Sequence, residues 1–114
     1  MVNLYAIRLS GKTYALTLTT APTTAALLIE SNTNVQTNYV ALLNTGSDTA
    51  AVEMGNASDT VATPSIASTG GSGSFVLPGG MTQPLVVAAP KAPFYIKGIS
   101  SGSNTLYITP VQSD

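Results

Sequence analysis

The chain carries five carboxylates, Glu30, Asp48, Glu53, Asp59 and Asp114, and four basic side chains, Arg8, Lys12, Lys91 and Lys97. It has no histidine, cysteine or tryptophan. Without an imidazole or a thiol, the usual nucleophilic triads and dyads cannot be built. A zinc site would have to rely on carboxylates alone, which is rare. Glycoside hydrolysis asks only for two carboxylates in a fixed geometry. Glu30 and Glu53 both fall on strand-like segments and could meet across a sheet. The competing expectation is that each faces solvent or a subunit contact, since a carboxylate pair works only when geometry places it on the reacting group.

The other candidates are thinner. Asp48 and Asp59 lie in turns, where Asp bonds nearby backbone N–H groups. Calcium takes six to eight oxygens, and no dense ligand run surrounds either residue. Residues 69–74, TGGSGS, lack the Gly-Lys-Ser/Thr ending of a nucleotide loop and read as a flexible loop. Asn56-Ala57-Ser58 is a glycosylation triplet of the kind that arises by chance in a Ser/Thr/Asn-rich chain. Tyr5, Tyr14, Tyr39, Tyr95 and Tyr107 could stack on a sugar, with Asp48 or Asp59 beside them. Four of them sit in strand-like alternation, which fits rings at the rim of a core. No catalytic residue, metal or cofactor is expected.

Charged residues make up 8% of the 114 residues, against about 25% in ordinary soluble domains. The basic residues are scattered, so neither nucleic acid nor an anionic membrane is an expected partner. Ser, Thr, Asn and Gly supply the polarity instead. A net charge near zero favours association between copies. No apolar run is long enough to span a bilayer, and residues 1–10 do not read as a signal peptide. The length suits one domain.

The elements that must hold these residues are strands. Residues 4–9 alternate, with Tyr5, Ile7 and Leu9 on the expected buried face and Ala6 and Arg8 opposite. Residues 13–19 alternate again, with Tyr14, Leu16 and Leu18 on one face. Across the Ser10-Gly11-Lys12 turn, these two segments form an expected hairpin. Residues 23–30, TTAALLIE, offer the best helical window, but its β-branched neighbours favour a strand over 27–31. Residues 39–44 are almost continuously apolar, which predicts a central strand covered on both faces. Asn44-Thr45-Gly46-Ser47 is a tight turn, returning through 49–54 as a second hairpin. Residues 60–67 make a weak strand that Pro64 confines to an edge, or no strand at all. Residues 75–77 and 85–89 flank a Pro-Gly-Gly turn. Residues 94–99 and 105–109 form a last expected hairpin.

About eight to ten short strands with frequent turn signals predict an all-β fold, an antiparallel β-sandwich of jelly-roll type in a single domain over 1–114. Residues 1–20 would be an N-terminal hairpin or an arm. Within them Val2, Asn3, Leu4 and Tyr5 are the candidate protein-contact residues.

From Tyr39 onward, YVALLNTGSDTAAVEMG, then SFVLPGGMTQPLVVAAPKAPFYIKGIS and SGSNTLYITP, the chain resembles small β-sandwich structural proteins of tailed bacteriophages. The shared features are an Asn-x-Gly turn, a Leu-Pro-x-Gly turn and a closing Leu-Tyr-Ile-Thr-Pro strand. They cover about two-thirds of the chain and are moderately specific, speaking to fold more than role. The resemblance implies a virion protein without catalytic residues. Its foremost form is a capsid decoration (cement) protein on the outer surface of the phage head, contacting the major capsid protein or another virion protein, often as a homotrimer. A glycan-binding or tail- and fibre-associated module is the alternative.

Overall fold

The computed structural model describes residues 7–9, 11–30, 39–90 and 93–113. They form strands β1 (Ile7–Leu9), β2 (Tyr14–Leu18), β3 (Leu27–Ile29), β4 (Tyr39–Asn44), β5 (Ala50–Gly55), β6 (Phe75–Leu77), β7 (Leu85–Ala88), β8 (Phe94–Ser100) and β9 (Asn104–Ser113). One sheet runs β9-β4-β7, with β1 and β2 both laid along the free side of β9. The other runs β3-β8-β5-β6, and every pairing is antiparallel.

The pairing is nested. With β1 and β2 taken as one strand position, the first strand pairs the last, β3 pairs β8, β4 pairs β7, and β5 pairs β6. A chain that doubles back once as a long hairpin and then wraps into two sheets produces this order. It is the jelly roll, so the sandwich and its topology agree with the strand pattern.

Alternation explains the core. Leu16 and Leu18 of β2, Val40 and Leu42 of β4, and Leu106 and Ile108 of β9 point inward from the first sheet. Ile29, Val52, Leu77, Phe94 and Ile96 meet them from the second. Phe94 is the largest fully buried side chain, and burying a ring of that size contributes about 1.5–3 kcal/mol. Gly98 sits in β8 where Leu18 crosses from the other sheet; a Cβ there would lie 2.5 Å from Leu18 Cδ2.

β1 and β2 are not a hairpin. Both run antiparallel to β9, Leu9 opposite Val111 and Tyr14 opposite Ile108, so they form one edge strand with extra residues inserted between them. The cause lies in β9. Pro110 has no N–H to offer an edge partner, and Gly11 packs onto its ring, where a Cβ would lie 2.5 Å from Pro110 Cγ. The strand resumes at Thr13, whose hydroxyl shares a 2.8 Å hydrogen bond with that of Thr109. Leu9, expected on a buried face, points outward and is 70% exposed, because its register with Val111 puts it on the opposite face from Tyr14, Leu16 and Leu18.

The other two expected hairpins are also absent. β4 and β5 belong to different sheets, as do β8 and β9. Their connections are arches that carry the chain across the sandwich. Two buried asparagines make this possible. Asn44, the last residue of β4, donates to the carbonyls of Asp48 (2.9 Å) and Pro78 (3.1 Å) and accepts from the Gly46 N–H (3.2 Å). Asn104, the first residue of β9, donates to the same Asp48 carbonyl (2.6 Å). The Gly80 N–H bonds the Gly46 carbonyl (2.7 Å). One end of the sandwich is thus tied by a polar knot of three arches. Gly79 is required there, because a Cβ would run into the Ser47 carbonyl.

Residues 60–67 form no strand. The segment is pinned to the start of β6, the Ser74 N–H bonding the Ser65 carbonyl (2.8 Å) and the Ser65 N–H bonding Ser74 Oγ (3.0 Å). Residues 23–26 are not helical either. Thr23 bonds β8 through its N–H to the Gly98 carbonyl and its hydroxyl to the Gly98 N–H, both at 3.0 Å.

Candidate functional site

Each strand of the first sheet sends alternate residues outward. From β4 these are Tyr39, Ala41 and Leu43; from β9, Tyr107, Thr109 and Val111. β1 adds Leu9, opposite Val111, and β7 adds Val86, opposite Ala41. The two-residue excess between β1 and β2 preserves this parity, so one edge strand contributes to a single outer face along its whole length. The face is apolar. Leu9, Tyr39 (37% exposed) and Tyr107 (38%) stand on it.

In its middle lies an open depression of about 330 Å³, walled by Leu9, Ala41, Leu43, Pro84, Tyr107 and Val111. The bonded hydroxyls of Thr13 and Thr109 complete the lining, which holds no charged side chain. Such a surface offers no acid, base or nucleophile. It can accept apolar side chains, with the Tyr107 hydroxyl as a polar handle at a wet rim.

The structure separates the candidates picked from the sequence. Val2, Asn3, Leu4 and Tyr5 lie outside the described residues. Glu30 follows β3 and Glu53 lies in β5, on opposite sides of β8. Ile29 is level with Phe94 and Glu53 with Lys97. At standard strand spacing and rise their backbones are about 16 Å apart, whereas glycosidase carboxylates lie roughly 5–9.5 Å apart. Glu53 has a different job. It accepts a hydrogen bond from the Ser74 hydroxyl (2.5 Å), which fastens the 65–74 loop to the second sheet.

Asp48 and Asp59 flank β5 at its two ends, about 20 Å apart. Asp48 belongs to the polar knot, where Gly102 leaves room for its carboxylate. Among the described residues no three of His, Cys, Asp and Glu gather as a metal site would need. The tyrosines are divided too. The Tyr14 hydroxyl accepts from the Glu30 N–H (3.1 Å) and so bridges the two sheets. Tyr95 lies on the outer face of the second sheet, level with Leu28 and Gly55. Among the described residues only Tyr39 and Tyr107 share the first sheet's outer face, and neither Asp48 nor Asp59 lines the depression.

The sequence pattern missed Leu9, Leu43, Pro84 and Tyr107 as a set. The available signal was β4, apolar on both faces. Its inner face is covered by the second sheet. On its outer face, expected to be covered as well, Ala41 is buried and Leu43 half-buried, and Tyr39 stays exposed. Comparison with family models, with curated proteins and with solved structures returns no match.

Proposed function

We propose that this protein is a virion structural component, a capsid decoration protein that binds the outer surface of a phage head and stabilises it without catalysis. One observation carries the reading: the apolar outer face of the β1/β2-β9-β4-β7 sheet, with its uncharged depression beneath Leu9 and Tyr107. Contiguous apolar surface of this kind marks a protein-binding site in a soluble chain. The partner is the major capsid protein or another virion protein. Its chemistry is an apolar or aromatic side chain that enters the depression, with polar groups around it. Because such a protein binds only the assembled shell, it stabilises that shell by mass action. Many copies repeat a modest contact over the whole surface.

The test is co-sedimentation with heads of the encoding phage that lack the protein. Saturable binding and a higher disruption temperature of the loaded heads are expected. Tyr107→Lys should weaken binding about tenfold or more, the size of effect seen at interface anchors, while leaving the isolated chain's melting unchanged. Heads that neither bind the protein nor gain stability refute the reading. A second reading, a glycan-binding module on a tail fibre, draws on the exposed rings of Tyr39 and Tyr107 on the same face. A saturable hit on a glycan array, lost in Tyr107→Lys, would favour it instead.

A further inference from the structure

The two flanks of the sandwich are built differently. On one, β1/β2 lies over β3. That flank is sealed: Tyr14 bridges to the Glu30 N–H, and the β2–β3 connection is bonded onto β8. Its edge is made of two strands, Ile7–Leu9 and Tyr14–Leu18, with Lys12 between them. Breaks and lysines of this kind stop edges from pairing with other chains.

The other flank, with β7 over β6, has none of these devices along β7. Leu85–Ala88 is unbroken and uncharged. From Thr60 to Pro90 the sequence has no charged residue at all, and both strands lie inside that run. The mouth between the sheets is open here. Phe75 is level with Val52 and Leu85 with Leu42, both inward-facing positions. Yet Phe75 remains 46% exposed and Leu85 39%. Each registers two residues from the knotted end of its sheet, so the two side chains stand on either side of the same mouth. The start of β6 is covered by Ser65, so among the described residues β7 is the unpaired edge of this flank.

We infer that this flank docks against the same flank of a second copy of the chain, β7 running antiparallel to its equivalent across a two-fold axis near Val86. Two observations favour a second copy over a single extended arm of another protein. The apolar strip spans both sheets, about 10 Å apart, whereas one added strand would extend only one of them. A second flank presents the same two rows. The seam is free of charge on both sides, so identical copies meet without repulsion. An isologous seam closes at two copies, unlike the trimer that the phage resemblance implies.

The seam belongs to the free protein, so it is tested without heads and stands or falls apart from the capsid reading. The measurement is sedimentation velocity of the whole chain over a range of concentrations. A dimer that dissociates on dilution is expected. Phe75→Lys and Leu85→Lys, on different sheets and outside the proposed capsid-binding face, should each weaken it at least tenfold, with unchanged circular dichroism and melting of the dilute protein. Either variant suffices if the other fails to fold. A monomer at every concentration, a trimer, or a dimer indifferent to both substitutions would overturn the inference. So would a monomer that instead takes up an extended peptide along β7.

Discussion

Asn44→Ala removes one buried amide and strands groups on two arches at once. The Pro78 carbonyl and the Gly46 N–H lose the side-chain partner they have in the native structure. The Asp48 carbonyl does not, because Asn104 also donates to it. A buried group left unsatisfied costs about 1–3 kcal/mol; Pro78 is exposed and Gly46 half-buried, so water replaces part of the loss and Asn44→Ala should cost roughly 2 kcal/mol. That is a large part of the roughly 6–17 kcal/mol expected for 114 residues. Asn104→Ala should cost about 1–2 kcal/mol, since Asn44 still holds the shared carbonyl. In the double variant that carbonyl loses both donors. The pair should therefore cost more than the two single losses added together, by roughly 1 kcal/mol. Urea unfolding followed by far-UV circular dichroism reads all four proteins, with the denaturant slope as a check that only stability has changed. Additive losses, or a loss below about 1 kcal/mol for Asn44→Ala, would show that the arches hold without this knot.

Two further substitutions probe the close approaches. Gly79→Ala drives a Cβ into the backbone carbonyl of Ser47; the arches must part and break the Gly80–Gly46 bond. A loss of about 2–4 kcal/mol in the same urea assay is expected, and near-neutrality would mean that the loops have slack. Gly98→Ala pushes against the buried Leu18 and should cost about 1–3 kcal/mol by overpacking. Adding Leu18→Val should recover part of that loss, and no recovery would place the strain elsewhere.

Periodicity revealed the inward faces because alternation is a local property. Tyr14, Leu16 and Leu18 fall on one face of β2, as their spacing predicts, and β4 is flanked on both sides by β9 and β7. Connectivity was less legible. Asn44-Thr45-Gly46 marks correctly where the chain turns. Turn chemistry fixes the local bend, however, and not the sheet to which the chain returns. That depends on partners distant in sequence, Pro78 for Asn44 and Asp48 for Asn104. The Asn-x-Gly turn, the Leu-Pro-x-Gly turn and the closing Leu-Tyr-Ile-Thr-Pro strand, which Asn104 precedes, read as three separate motifs. In space they are one knot, which is why they carry information about the fold and little about its partner.

The outward side of the molecule follows a different logic. Alternation alone places Leu9 in the core, and its exposure follows from its pairing with Val111 on the outward side of β9, a partner distant in sequence. Pattern reading assumes that every apolar stripe finds its cover within the same chain. β4 departs from that assumption at one end of its outer stripe, where Tyr39 is exposed while Ala41 is buried and Leu43 half-buried in the wall of the depression. The same holds at the β6–β7 flank, where Phe75 and Leu85 point into the sandwich and still meet solvent. In a chain with so few charges, both surfaces retain apolar area that a solitary protein would gain by hiding. Their burial by other copies or other proteins is the simplest physical reason for a sequence to keep them.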